Sequence, residues 1–142
     1  MAYEAFSAEW AKAYQERINA NPNYREAART WEWPLVLVLE ADPSLGIEEN
    51  RAILLDLYRG ECRDARVATE DDLESAPYVI SAKAETWKQV LEGELDPLAA
   101  VMRGKLKILK GNVGALSGYL TAARELVNAA RRVDTEFPRG LG

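Results

Sequence analysis

The run Leu35-Val36-Leu37-Val38-Leu39 constrains this chain more than any other segment. Five consecutive β-branched and leucine residues leave no polar side to face water, so the segment reads as a strand covered on both faces. Pro34 to Ala41 bounds it, and Asp42-Pro43 ends it at a turn. Such a strand needs neighbours on both edges and layers above and below, which places it at the centre of a sheet. It is also the longest uninterrupted apolar run, far short of the ~18 residues that cross a bilayer. The acidic start Met-Ala-Tyr-Glu lacks the basic region of a secretory leader. A cytoplasmic location is therefore expected.

Helices precede this strand. Ser7 stands before Trp10, Ala13, Tyr14, Arg17 and Ile18, whose spacing predicts an amphipathic helix over about 8–20 with Ser7 as its cap. Asn23 with Glu26 predicts a second short helix presenting Tyr24, Ala27, Ala28 and Trp31. After the central strand, residues 51–58 alternate and Arg59-Gly60 turns the chain into a polar, edge-like strand over 61–68. The acidic stretch 69–76 reads as a loop or helical turn, and Tyr78 to Ala82 as another strand. Ala84, Trp87, Val90 and Leu91 then share a helix face that stops at Gly93. Asp96-Pro97 opens a short helix carrying Leu98, Val101 and Met102, and residues 105–110 alternate as a strand. Leu116, Tyr119, Leu120, Ala123, Val127, Ala130 and Val133 predict one long final helix. The end Phe137-Pro138-Arg139-Gly140-Leu141-Gly142 is expected to adhere or fray. The order predicts an α+β fold, and 142 residues at 48% apolar and 29% charged suit one domain over 1–142.

The composition removes whole classes of chemistry. With no histidine, Ser-His-Asp and Cys-His nucleophiles, imidazole metal ligands and imidazole proton shuttles are excluded. The single cysteine, Cys62, can form neither an internal disulfide nor a thiolate zinc site, and reads as a small residue on a strand. A net charge of −5 opposes a role on nucleic acid. The charge is divided, however: from Arg103 onward there are eight basic and three acidic residues. That asymmetry reads as a solvated face or, more sharply, as a basic surface for transient contact with an anionic membrane.

Other constellations are weak. Gly111 to Gly118 lies between a strand and a helix but lacks the Gly-Lys-Ser/Thr ending of a nucleotide loop, and reads as a turn. Asp71, Asp72 and Glu74, like Glu48 and Glu49, are loop carboxylates without the spacing of a calcium loop. An enzyme relying on Asp71, Asp72 or Tyr119 is the third-ranked reading. No catalytic residue, metal ligand or cofactor is assigned. The aromatic residues fall on helical stripes within acidic surroundings, which favours core or cavity lining over base stacking.

Gly93-Glu-Leu-Asp-Pro-Leu-Ala-Ala-Val-Met-Arg-Gly-Lys-Leu-Lys-Ile-Leu-Lys-Gly-Asn112 resembles the signature segment of the sterol-carrier-protein type 2, or non-specific lipid-transfer, domain family. The resemblance extends from Tyr78 to Leu120, with Trp87 where that family bears an aromatic-containing helix. It implies a five-stranded mixed, mostly antiparallel sheet with helices on one face enclosing an apolar tunnel, and no catalytic residue. It implies N-terminal helices in 1–32, a lipid-binding core over 33–133 and a tail over 134–142. The implied ligand is a fatty acid, acyl-CoA, phospholipid or sterol-like molecule. Carried over position by position, the ligand region comprises Trp87, Val90, Leu91, Leu98, Val101, Met102, Leu106, Ile108, Leu116, Tyr119, Leu120 and Ala123. Lys105, Lys107 and Lys110 are the residues placed to meet a headgroup. The Arg-Gly-Leu-Gly ending is not a peroxisomal address. The alternative is an interaction or dimerization module of the same fold with a filled core, accessory to a lipid-metabolising enzyme. The sequence leaves the oligomeric state open.

Overall fold

The computed structural model describes residues 2–138. β1 (Tyr3–Glu4) leads to α1 (Ala8–Asn19), α2 (Pro22–Ala27), β2 (Leu35–Leu39), a 3₁₀ turn at Pro43–Leu45, β3 (Arg51–Tyr58) and β4 (Glu61–Val67). Then come α3 (Glu70–Ser75), β5 (Tyr78–Ala82), α4 (Ala84–Leu91), α5 (Pro97–Met102), β6 (Lys107–Lys110), α6 (Val113–Ser117), α7 (Leu120–Arg131) and β7 (Thr135–Glu136). No helix among the described residues is long and apolar enough to cross a membrane.

The expected five-stranded mixed sheet is present, in the order β4-β3-β2-β5-β6. β2 runs antiparallel to β3 and parallel to β5, and the outer pairs are antiparallel. All five residues of β2 are buried. Leu35, Leu37 and Leu39 enter the larger core, whereas Val36 and Val38 enter a smaller one with Ala52, Leu54, Ala76 and Val79. The period of two in a strand separates the two sets. α3 covers the smaller core through Leu73, and the larger core takes its helical side chains from α1, α2, α4, α5 and α7.

Local chemistry sets the element ends. Ser7 Oγ accepts the Trp10 N–H, as its N-cap position predicts. α2 is capped by Asn21, not Asn23: Asn21 Oδ1 accepts from the N–H groups of Asn23 and Tyr24, with Pro22 at the first helical position. Trp31 consequently lies beyond that helix. The strand expected at 105–110 shortens to β6, because Leu106 N–H instead bonds back to Ala100 O. The single long helix expected at the end is two helices, broken at Gly118 and Tyr119. The apolar stripe runs across the break because side-chain spacing persists through a one-turn interruption. β1 and β7 form an unanticipated parallel pair joining Tyr3 to Thr135 and Glu4 to Glu136. The remainder of the tail, 139–142, lies outside the described residues.

Arg59 and Gly60 both have positive φ, as a two-residue turn of right-twisted hairpin strands requires. A Cβ at Gly60 would sit 2.5 Å from Arg25 O, whereas at Gly46, also at positive φ, it would meet nothing within 4 Å. Gly46→Ala is therefore expected to cost only the left-handed conformation, about 1 kcal/mol. Gly60→Ala adds overpacking against the α2 backbone, for a total of about 2–4 kcal/mol. Urea unfolding midpoints of the two variants check the difference, and equal losses would contradict it.

Candidate functional site

The helices do not close fully over the sheet. Between them lies an apolar cavity of about 140 Å³. Its floor is Leu35, Leu57, Ile80 and Ile108, one residue from each of β2, β3, β5 and β6. The opposite side is formed by Pro97, Leu98 and Val101 of α5, by Leu106 just after it, by Val113, Leu116 and Ser117 of α6, and by Leu120, Ala122, Ala123 and Leu126 of α7. Tyr24, Trp31 and Tyr119 complete the wall. None of these residues is charged.

The helix break creates one end of the site. A continuous helix would carry Tyr119 along its axis, whereas Tyr119 instead caps α7 at φ −116°. Its ring meets Trp31 edge-on at 4.9 Å between centroids, and its hydroxyl lies 2.9 Å from Thr30 Oγ1. Trp31 also packs on Tyr78 at 4.8 Å and donates its indole N–H to Trp33 O. These aromatic rings fix the loop between α2 and β2 against the start of α7.

Two covering elements differ in how they are held. Asp96 caps α5 by accepting from the N–H groups of Leu98 and Ala99, and its other oxygen accepts from Arg124 Nε at 2.8 Å. This clasp joins α5 to α7. The Arg124 hydrogen bond, with the α5 N–H groups, holds the Asp96 carboxyl below its ordinary value. α6 has no such tie among the described residues: its bonds run from Ala115 and Leu116 to Asn112 and from Ser117 Oγ to Gly114 O. Leu116, half-buried, and Val113, 53% exposed, face the cavity from it.

Of the twelve residues carried over from the resemblance, eight line this cavity: Leu98, Val101, Leu106, Ile108, Leu116, Tyr119, Leu120 and Ala123. The other four lie elsewhere. Trp87 is buried against Phe6 and donates its indole N–H to Val38 O at 2.8 Å. Val90 and Leu91 belong to the same packed core, and Met102 is 78% exposed at the end of α5. Lys107 Nζ reaches Glu40 at 3.2 Å and Lys110 Nζ reaches Leu73 O at 2.7 Å, both away from the cavity, while Lys105 is exposed. Sequence reasoning missed Tyr24, Trp31, Leu35, Leu57, Ile80, Pro97, Val113, Ser117, Ala122 and Leu126. Their apolar periodicity was visible, but the fold alone brings four strands and four helices to one volume.

The remaining groups offer little chemistry. Burial pushes the Cys62 thiol up to about 12, with the nearby Asp56 charge adding to the effect. Such a thiol is protonated and unreactive at neutral pH. Asp64 and Asp72 are held below their ordinary values, Asp64 chiefly by Lys12 and Asp72 by the Thr69 backbone N–H and Arg66. Among the described residues no group of three acidic or cysteine side chains is arranged to hold a metal ion.

The SCP-2 sterol transfer family matches residues 11–119. A crystal structure of sterol carrier protein 2 superposes with a TM-score of 0.84 at 44% identity, covering 92% of this chain and 99% of that one. A conserved hypothetical protein of Thermus thermophilus gives a TM-score of 0.84 at 41% identity, covering 100% and 97% of the two chains. The apo form of sterol carrier protein 2 from Yarrowia lipolytica, at 18% identity and a TM-score of 0.59 over 85% and 88%, shares the fold. No curated protein sequence matches the chain.

The depressed Asp96 carboxyl gives the clasp a pH signature. Its stabilising contribution is complete above the unfolded carboxylate value near 3.8 and disappears as pH falls through the lower folded value. Asp96→Asn preserves a capping oxygen but removes the charge. Thermal melts should show the variant below wild type at pH 7, with the gap closing as pH falls below the ordinary carboxylate value. A gap independent of pH would refute the assignment.

Proposed function

The chain belongs to the SCP-2 sterol transfer family, and from that premise we propose that it binds and transfers lipid, without catalysis, by sheltering an apolar chain or ring system in the cavity beneath α5, α6 and α7. The single observation that carries this reading is a cavity whose wall bears no charged side chain, roofed by a helix held only through local hydrogen bonds. A fatty acid, acyl-CoA, phospholipid or sterol-like molecule supplies the required apolar body. The eight carried-over lining residues, with the ten that the fold adds, are the proposed contacts.

Magnitudes select long ligands. A cavity of about 140 Å³ is close to the ~150 Å³ that accommodates a benzene. Six carbons at about 0.8 kcal/mol each contribute roughly 5 kcal/mol, no more than the lower part of the 4–15 kcal/mol cost of association. Sixteen carbons contribute roughly 12 kcal/mol, enough for a modest net affinity. They require more space than the closed cavity has, so entry displaces a cover. α6 is the proposed mover, since its only hydrogen bond toward another helix among the described residues is the local one from the Tyr119 N–H to Leu116 O. A filled-core interaction module, the competing reading, has no comparable support from this open apolar volume.

The rim favours release at a lipid surface. Leu98, Met102 and Val113 are exposed, and Met102 lies one helical turn from Leu98 on α5. Arg103 and Lys105 follow directly, both exposed. Apolar side chains beside cations suit transient contact with an anionic membrane.

Delipidated protein titrated with a fluorescent long-chain acyl probe should show saturable one-to-one binding. Palmitate, palmitoyl-CoA, a phospholipid and a sterol should then rank themselves by displacement. Ala123→Phe, which fills the cavity, should retain the fold and weaken the probe by about tenfold or more, the equivalent of two buried methylenes. Flat titrations of the wild type with all these ligands would overturn the proposal.

A further inference from the structure

Four residues on the cavity wall carry a side-chain polar atom, and three have a protein partner. Trp31 donates to Trp33 O, Ser117 to Gly114 O, and the Tyr119 hydroxyl pairs with Thr30. Tyr24 is the fourth. Its side chain is 1% exposed, yet its hydroxyl makes no hydrogen bond among the described residues. It is not a sealed orphan either, because among the described residues no buried side-chain nitrogen or oxygen cut off from free volume lacks a partner. Tyr24 lines this cavity and neither of the two polar pockets elsewhere on the surface, so the surface left on its hydroxyl is taken to face the cavity.

Its neighbours do not satisfy it, since neither bonds to its hydroxyl. Tyr14 donates its own hydroxyl to Leu126 O, and the Cys62 thiol is bonded to Asp64 O. Burial raises the Tyr24 phenol above its ordinary value, so it remains neutral and able to donate. Among the described residues no lysine or arginine stands on the cavity wall. A carboxylate or phosphate brought to Tyr24 would lose its hydration without gaining a counter-charge, whereas an uncharged oxygen would not meet that penalty. A wholly apolar tip would leave the phenol dry and unpaired, and sites with an unpaired buried polar group discriminate against analogues that cannot complete it.

We propose that Tyr24 is the polar anchor of the cavity, and that the favoured ligand is a long-chain or ring lipid whose buried end carries one uncharged hydroxyl or carbonyl oxygen, inserted oxygen first against the Tyr24 hydroxyl. This rests on the lipid-binding reading above and narrows it to a ligand class and an orientation. The charged end of a fatty acid or acyl-CoA is confined to the rim, and such ligands leave Tyr24 unpaired.

The test compares 1-dodecanol with 1-chlorododecane, equal in chain length and differing in the hydrogen-bonding oxygen, on wild type and on Tyr24→Phe. Binding is read by tryptophan fluorescence, Trp31 being part of the wall. Wild type should bind the alcohol about 3- to 10-fold more tightly than the chloride, the range of one neutral hydrogen bond. Tyr24→Phe should reduce the alcohol to the affinity of the chloride and leave the chloride unchanged. Equal weakening of both ligands would make Tyr24 a packing residue, and an unchanged alcohol affinity would remove it from the site. Either result overturns this inference while the carrier reading stands if the fluorescent acyl probe still binds. Failure of the probe, the alcohol and the chloride to bind wild type overturns both.

Discussion

The double burial of β2 is the constraint on which the remaining structure depends. Leucines at 35, 37 and 39 and valines at 36 and 38 point to opposite faces, so both faces must be covered at once. The smaller side needs only α3 and the chain around Ala76. The larger side carries nearly all the helices, whose side chains leave a volume unfilled above Leu35 and its neighbours. The cavity therefore lies on the heavily covered face, between the sheet and short helices.

Unequal anchoring separates framework from cover. α1 is fixed to the edge strand by paired amides, with Asn19 both donating to Cys62 O and accepting from Cys62 N–H. Trp10 is stacked on Phe6 and bonded to Thr135, tying the first helix to the second small sheet. Trp87 bonds the central strand directly. These long-range bonds, with those from Tyr14 to Leu126 O and from Asn21 to Glu125 on α7, hold the framework, while α5 is joined to α7 by one surface ion pair and α6 makes only local hydrogen bonds. Local opening in proteins is concentrated where such cross-links are fewest.

Element type was readable wherever a period was sustained: β2, the hairpin around Arg59-Gly60, α1 and α4 all follow from spacing, and Asp96-Pro97 and Gly93 punctuate the chain where expected. Three things were not. The interruption at Tyr119 leaves the apolar stripe intact, so periodicity alone reports one helix. Trp87 and Leu116 have similar patterns on their own helices, and only the positions of neighbouring helices make one a core residue and the other a cavity wall. β1 and β7, two residues each, are too short for any pattern, and their pairing joins positions more than 130 residues apart. The cavity's floor is likewise assembled from four strands whose mutual register no local pattern specifies.

The all-local hydrogen bonding of α6 also has a thermal consequence. A cover retained by polar cross-links grips more firmly in the cold, because hydrogen bonds are enthalpic. One retained by Leu116 and Val113 relies on apolar burial, whose driving force near room temperature is entropic and weakens on cooling. Under the proposed opening of α6, the cover would loosen as temperature falls, when membranes stiffen and their lipids are slower to leave. A lipid carrier opened in this way would keep access to its interior under the conditions in which a donor surface yields cargo least readily.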